Sequence, residues 1–131
     1  MSNKRFRLTP FVPPEDDLHL AVYQALRVLC PSEAVITTHE LRNAASVMEG
    51  ARRKRLGALP GFPDMSVWHR SRVVLLELKR ERGWALSPAQ RALHPRLAAA
   101  GFPVAVCHTV PEALAAVAAA GVPLRGHRVA A

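Results

Sequence analysis

Apolar residues recur along this chain with two periods, and the switches between them outline a fold. From residue 15, Leu18, Ala21, Val22, Ala25, Leu26 and Leu29 follow the i, i+3, i+4, i+7 spacing of an amphipathic helix. Pro13-Pro14 sets its start and Pro31 stops it. Residues 34–38 are a short β-branched run and predict a strand. Residues 39–50 read as a loop with one helical turn. Residues 51–61 read as an exposed loop, because Arg52, Arg53, Lys54 and Arg55 are followed by Gly57, Pro60 and Gly61. Segments 65–68 and 73–79 predict a hairpin that turns across 69–72. Ser87-Pro88-Ala89-Gln90 is a capping box with proline at the first helical position, opening a helix that runs to residue 100 and is closed by Gly101. Residues 102–108 predict another strand, and Thr109-Val110-Pro111-Glu112 is a second capping box opening an Ala-rich helix that stops at Gly121. The resulting order, α-β-β-β-α-β-α, predicts an α/β domain. Its sheet should be mixed, antiparallel in the hairpin and parallel across the β-α-β crossover.

One segment breaks the pattern. Val73-Val74-Leu75-Leu76-Glu77-Leu78-Lys79 is apolar on both faces, as a strand inside a sheet should be, yet it ends in a carboxylate and an ammonium. A period of two puts Glu77 and Lys79 on one face, and Leu76 and Leu78 on the other. Charges there are costly unless they are paired or coordinate something. Gly61-Phe62-Pro63-Asp64-Met65 sets Asp64 at the head of the neighbouring strand, where a hairpin can bring it beside Glu77. Two carboxylates with the backbone carbonyl of Leu78 make an oxygen site suited to Mg²⁺ or Mn²⁺. Lys79 can then place its charge beside an attacking water or a phosphate. The competing reading is an internal salt bridge at a sheet end.

Length and charge narrow the partners. The 131 residues suffice for one domain with its own core, divided into a basic arm over 1–13, a domain over 14–121 and a loose tail over 122–131. Eighteen Lys and Arg against ten Asp and Glu give a net charge of +8, which favours a polyanion such as nucleic acid. Cys30 and Cys107 stand alone in apolar contexts, as buried free thiols of a reducing compartment do. With no apolar run near the length of about 18 residues that a bilayer needs, and no signal-peptide pattern, the expectation is a cytoplasmic protein without membrane contact.

Pro63-Asp64 followed by Glu77-Leu78-Lys79 resembles the signature of the PD-(D/E)xK nuclease superfamily. Gly61-Phe62-Pro63-Asp64, Glu77-Leu78-Lys79-Arg80, Leu86-Ser87-Pro88-Ala89-Gln90 and Ala100-Gly101-Phe102-Pro103-Val104 together resemble its VRR-NUC branch, over roughly residues 14–120. The resemblance implies a restriction-endonuclease-like αβββαβ core with helices flanking a mixed sheet. It also implies a metal-dependent DNA endonuclease acting on branched or junction DNA, as in repair or recombination. Asp64 and Glu77 match the metal-binding acids, Lys79 the catalytic lysine, and Gln90 a glutamine that shapes the site. Glu15 matches an acid able to reach the metal or its water, and Asn43 a family asparagine; His39 is suggestive. Stand-alone members of the family are often homodimers.

Gln90 and Glu15 also suit plain helix capping. The run Arg52, Arg53, Lys54 and Arg55, with Arg80, suits DNA phosphates, although such runs are usually solvated faces. Trp84 could stack on a base or pack on the core. The remaining histidines read as surface or packing residues. A different class of function on the same fold is a DNA-binding module that does not cut.

Overall fold

The computed structural model describes residues 15–39 and 45–126. Helix α1 (Glu15–Leu29) leads to strand β1 (Val35–Thr38), helix α2 (Val47–Arg55), strands β2 (Met65–His69) and β3 (Arg72–Leu78), helix α3 (Pro88–Ala99), strand β4 (Val104–Cys107) and helix α4 (Val110–Ala119). The strands lie in the order β1-β2-β3-β4. β2 is antiparallel to both β1 and β3, while β4 runs parallel to β3, as the crossover through α3 requires. Both anticipated capping boxes are present, at Ser87 with Gln90 and at Thr109 with Glu112.

The two faces of the sheet have different tasks. Leu18, Val22 and Leu26 of α1 and Ala113, Val117 and Ala118 of α4 join Met65, Val67, Val74, Leu76, Leu78 and Cys107 in the main core. These strand positions alternate along β2 and β3, so Ser66, Leu75 and Glu77 point to the other face. All three are buried there, as is Leu93 of α3. A strand buried on both faces explains the unbroken apolar run that precedes Glu77.

Three expectations need correction. Residues 51–55, read as loop, belong to α2. Ser46 caps that helix by accepting from the Glu49 N–H, and the run Arg52, Arg53, Lys54 and Arg55 sits in its last turn, where cations suit the helix dipole. None of its residues is buried, so no apolar period marked it as a helix. The hairpin turn is shorter than 69–72: His69 pairs with Arg72, leaving Arg70 and Ser71 with φ of 43° and 65° to reverse the chain. The tail read as loose from 122 is docked at its start, for Val122 and Leu124 lie in the core and the Arg125 N–H donates to the Leu29 carbonyl at 2.8 Å. That bond satisfies a carbonyl left open at the end of α1. The arm over 1–13, residues 127–131 and Asn43 lie outside the described residues. Among the described residues no helix is long and apolar enough to cross a membrane.

Candidate active site

Asp64 and Glu77 meet because of strand register. Met65 pairs with Leu76, so the residue before Met65 lies opposite the residue after Leu76. Asp64 Oδ2 accepts the Leu78 N–H at 2.7 Å, and its own carbonyl accepts the His39 N–H at 2.8 Å. The carboxylate is therefore fixed between the ends of β1 and β3. A hydrogen bond to a charged acceptor contributes about 1.5–3 kcal/mol, enough to hold one rotamer.

Glu77 is 1% exposed. Its Oε1 accepts from Gln90 Nε2 at 2.7 Å, and Lys79 Nζ lies 3.8 Å from the same oxygen. The second distance is too long for a hydrogen bond and marks an ion pair. Oε2 is buried, and no N–H or hydroxyl among the described residues donates to it. Burial, and then the neighbouring Asp64 charge, push the Glu77 carboxyl up to about 8; Lys79 opposes, while a side-chain hydrogen bond with Asp64 and then the Glu15 charge add to the rise. One ammonium does not compensate two crowded carboxylates. A buried carboxylate oxygen without a donor costs free energy that a bound cation would recover.

Gln90 acts with both ends of its amide. Its Oε1 accepts the Ser87 N–H at 2.8 Å to complete the capping box, and its Nε2 holds Glu77. Capping and site-shaping, posed as alternatives on sequence, are thus one residue's two bonds. Gly61 makes the arrangement possible. At φ +79° a Cβ there would stand 2.6 Å from the backbone of Ala89 and Gln90, so only glycine lets this loop lie against the start of α3.

Lys79 follows β3. Its N–H donates to the Cys107 carbonyl at 3.0 Å, and its own carbonyl accepts from His108 Nδ1 at 2.9 Å. Glu15, the first residue of α1, is exposed and reaches Glu77 through its charge. Glu15, Arg80 and Trp84 line one groove beside the site. His39 bonds Ser66 Oγ through Nε2 at 2.9 Å and packs edge-on against Phe62; burial lowers its pKa while Asp64 opposes the shift. Arg52 and Arg53 of α2 engage Glu49, at 3.9 Å and 3.3 Å. Arg52, Lys54 and Arg55 are exposed.

Two histidines read as packing residues belong to this neighbourhood. His108 follows Cys107, the partner of Leu78, and that register carries it to Lys79. His94 stands one turn after Gln90, and burial followed by the Lys79 charge lowers its pKa. The i, i+4 spacing from Gln90 was the available signal for His94. Ser66, buried and shared by His39 and the Trp68 indole N–H, had none. Among the described residues no three His, Cys, Asp or Glu side chains gather as a metal cluster. Two carboxylates are nonetheless an adequate protein donor set for Mg²⁺, which keeps waters and substrate oxygens in its other positions. The Oε2 that no donor reaches and the raised Glu77 pKa fit such an ion.

The fold has a counterpart among solved structures. A structure titled "VRR_NUC domain protein" is 19% identical to this chain, with a TM-score of 0.62 over 82% of this chain and 87% of that one. The fold is therefore the restriction-endonuclease-like fold of the VRR-NUC family. No protein-family model matches the sequence. No curated protein matches it either.

Proposed function

We propose that the protein is a metal-dependent DNA endonuclease selective for branched or junction DNA. The observation that carries the reading is Glu77: a buried carboxylate crowded by a second carboxylate and faced by a lysine, with one oxygen that no donor among the described residues reaches. In this reading Asp64 and Glu77 would hold Mg²⁺ or Mn²⁺, with the Leu78 carbonyl as a further donor and Glu15 as an additional acid at the site. Such an ion would polarise the phosphodiester, acidify a water and stabilise the leaving oxygen.

The chain's own groups do the rest. Gln90 fixes the Glu77 rotamer and leaves Oε2 free for coordination. Lys79 sets a positive charge where the attacking water and the phosphate must meet. The basic last turn of α2 and Arg80 contact backbone phosphates, which positions DNA without reading its sequence. A two-fold homodimer would cut two strands symmetrically; a monomeric sedimentation profile at micromolar concentration would remove that part. Free thiols at Cys30 and Cys107 suit a cytoplasmic location.

Nicking of supercoiled plasmid and of labelled four-way junctions, with and without Mg²⁺, tests the assignment. The parent should cut and Glu77→Ala should not, with the fold retained by circular dichroism. If Glu77→Ala cuts as well as the parent, the site is wrong. If the parent binds DNA and never cuts it, the chain is a binding module on a nuclease fold.

A further inference from the structure

The loop after Lys79 leads into a groove of about 590 Å³ walled by Glu15 and Asp16 of α1 and by Arg80 and Trp84. Arg80 directly follows Lys79, whose ammonium lies 3.8 Å from Glu77 Oε1, so the groove adjoins the charged end of β3. Trp84 forms its aromatic wall, with its ring 4.6 Å from that of His108 at a 42° tilt. His108 is in turn bonded to the Lys79 carbonyl. The indole is thus braced through one histidine against the backbone that carries the lysine, yet remains 42% exposed. A core-packing tryptophan would be covered. This one presents a supported aromatic surface to an open groove. Arg80 Nη2 donates to the Gly83 carbonyl at 3.4 Å, bridging the loop that presents the indole.

We propose that this groove takes an unpaired nucleobase from the nucleotide next to the scissile phosphodiester. The base stacks on Trp84, its exocyclic amine donates to the Asp16 carboxylate, and Arg80 faces the adjoining phosphate. The proposal deepens the nuclease reading and rests on it for the word scissile. A base within a duplex is stacked on both sides and offers no face to an indole; an unpaired base does. Carboxylates repel phosphate but accept from base N–H donors, so the acidic wall turns the base inward and the phosphate towards Arg80 and Lys79. The substrate must then carry an unstacked nucleotide, as single-stranded tails and branch points do. Thymine, whose ring N3–H is its one donor, should bind less well than cytosine, whose exocyclic amine offers two.

Binding alone tests this, in EDTA at low salt, by fluorescence anisotropy of labelled single-stranded oligodeoxynucleotides and a blunt duplex. Trp84→Ala should weaken single-strand binding on the order of tenfold. Trp84→Phe should restore most of it, duplex binding should change little, and Asp16→Ala should erase a preference for oligo-dC over oligo-dT. In a Trp68→Phe background, Trp84 emission should be quenched by single strands. Equal affinity of Trp84→Ala and the parent for single strands, or an equal loss for duplex, would overturn the groove assignment. Cleavage by Glu77→Ala would sink the nuclease reading alone, because none of these binding measurements requires cutting.

Discussion

Gln90 Nε2 donates to Glu77 Oε1 at 2.7 Å, so the first turn of α3 is tied to the charged end of β3. The same side chain closes its helix's capping box by accepting the Ser87 N–H. One glutamine couples the start of a helix to the orientation of the carboxylate proposed to hold metal. Removing it should therefore disturb chemistry and helix together, in separable amounts.

Gln90→Ala loses both bonds. The reciprocal bond to the Ser87 N–H contributes about 1 kcal/mol, so a melt should shift modestly. Cleavage should fall at least tenfold, because Glu77 loses the donor that fixes its rotamer. Gln90→Glu keeps an acceptor for the Ser87 N–H but turns a third carboxylate on Glu77, and it should be inactive. Plasmid nicking beside a thermal melt checks this; a Gln90→Glu variant with parental activity refutes the orienting role.

Glu77 should make metal-free stability fall as pH rises. Its folded carboxyl is pushed up to about 8 from an ordinary value of 4.5, mainly by burial and then by Asp64. The folded state therefore binds the proton more tightly than the unfolded one. Stability is greatest below the unfolded value, declines across the window from 4.5 to 8, and levels above it. The loss should reach a few kcal/mol, accumulating at about 1.4 kcal/mol for each pH unit crossed within that window. Glu77→Gln should flatten this slope in EDTA, and Mg²⁺ should recover stability in the parent at high pH. Parallel slopes for the two proteins would contradict the assignment.

Gly61→Ala should be strongly disruptive for so small a change. Its Cβ would meet the Ala89 and Gln90 backbone at 2.6 Å, and φ +79° disfavours any side chain. Overpacking of this kind costs about 1–3 kcal/mol, with the conformational penalty added. The start of α3 must retreat, carrying Gln90 away from Glu77. A denaturant midpoint and a nicking assay should both drop; unchanged activity would show that α3 need not approach so closely.

Leu124→Ala should destabilise by about 2–5 kcal/mol, as deletion from a packed core does. Leu124 and Val122 lie in the main core beyond the last helix. Urea denaturation gives the value, and a shift below about 0.5 kcal/mol would restore the loose-tail reading.

Both thiols should resist modification in the native state. Burial and then Glu112 push Cys107 up to about 11, and burial raises Cys30. The thiolate is the reactive form. An aromatic disulfide reagent near neutral pH should label neither until the chain is unfolded.

Much of the fold was legible because local rules and tertiary packing agree. The apolar period of α1, the two capping boxes and the doubly buried β3 each state their structure in a few adjacent residues. α2 was illegible because it buries nothing; its cap and dipole-matched charges are weaker signals than an apolar stripe. The docked Val122 and Leu124 were illegible because two apolar residues after a glycine have no period.

The sequence by itself determined every element but α2, their order and the presence of an acid pair with a lysine at a strand end, since each depends on neighbours within a few positions. Only the tertiary structure decided which groups share one place. Asp64 faces Glu77 through hairpin register, Gln90 reaches Glu77 because Gly61 admits the helix start, and His108 braces Trp84 beside Lys79. The shifted proton affinity of Glu77 belongs to that arrangement too. It arises from burial and from charges distant in the chain, and no local spacing encodes either.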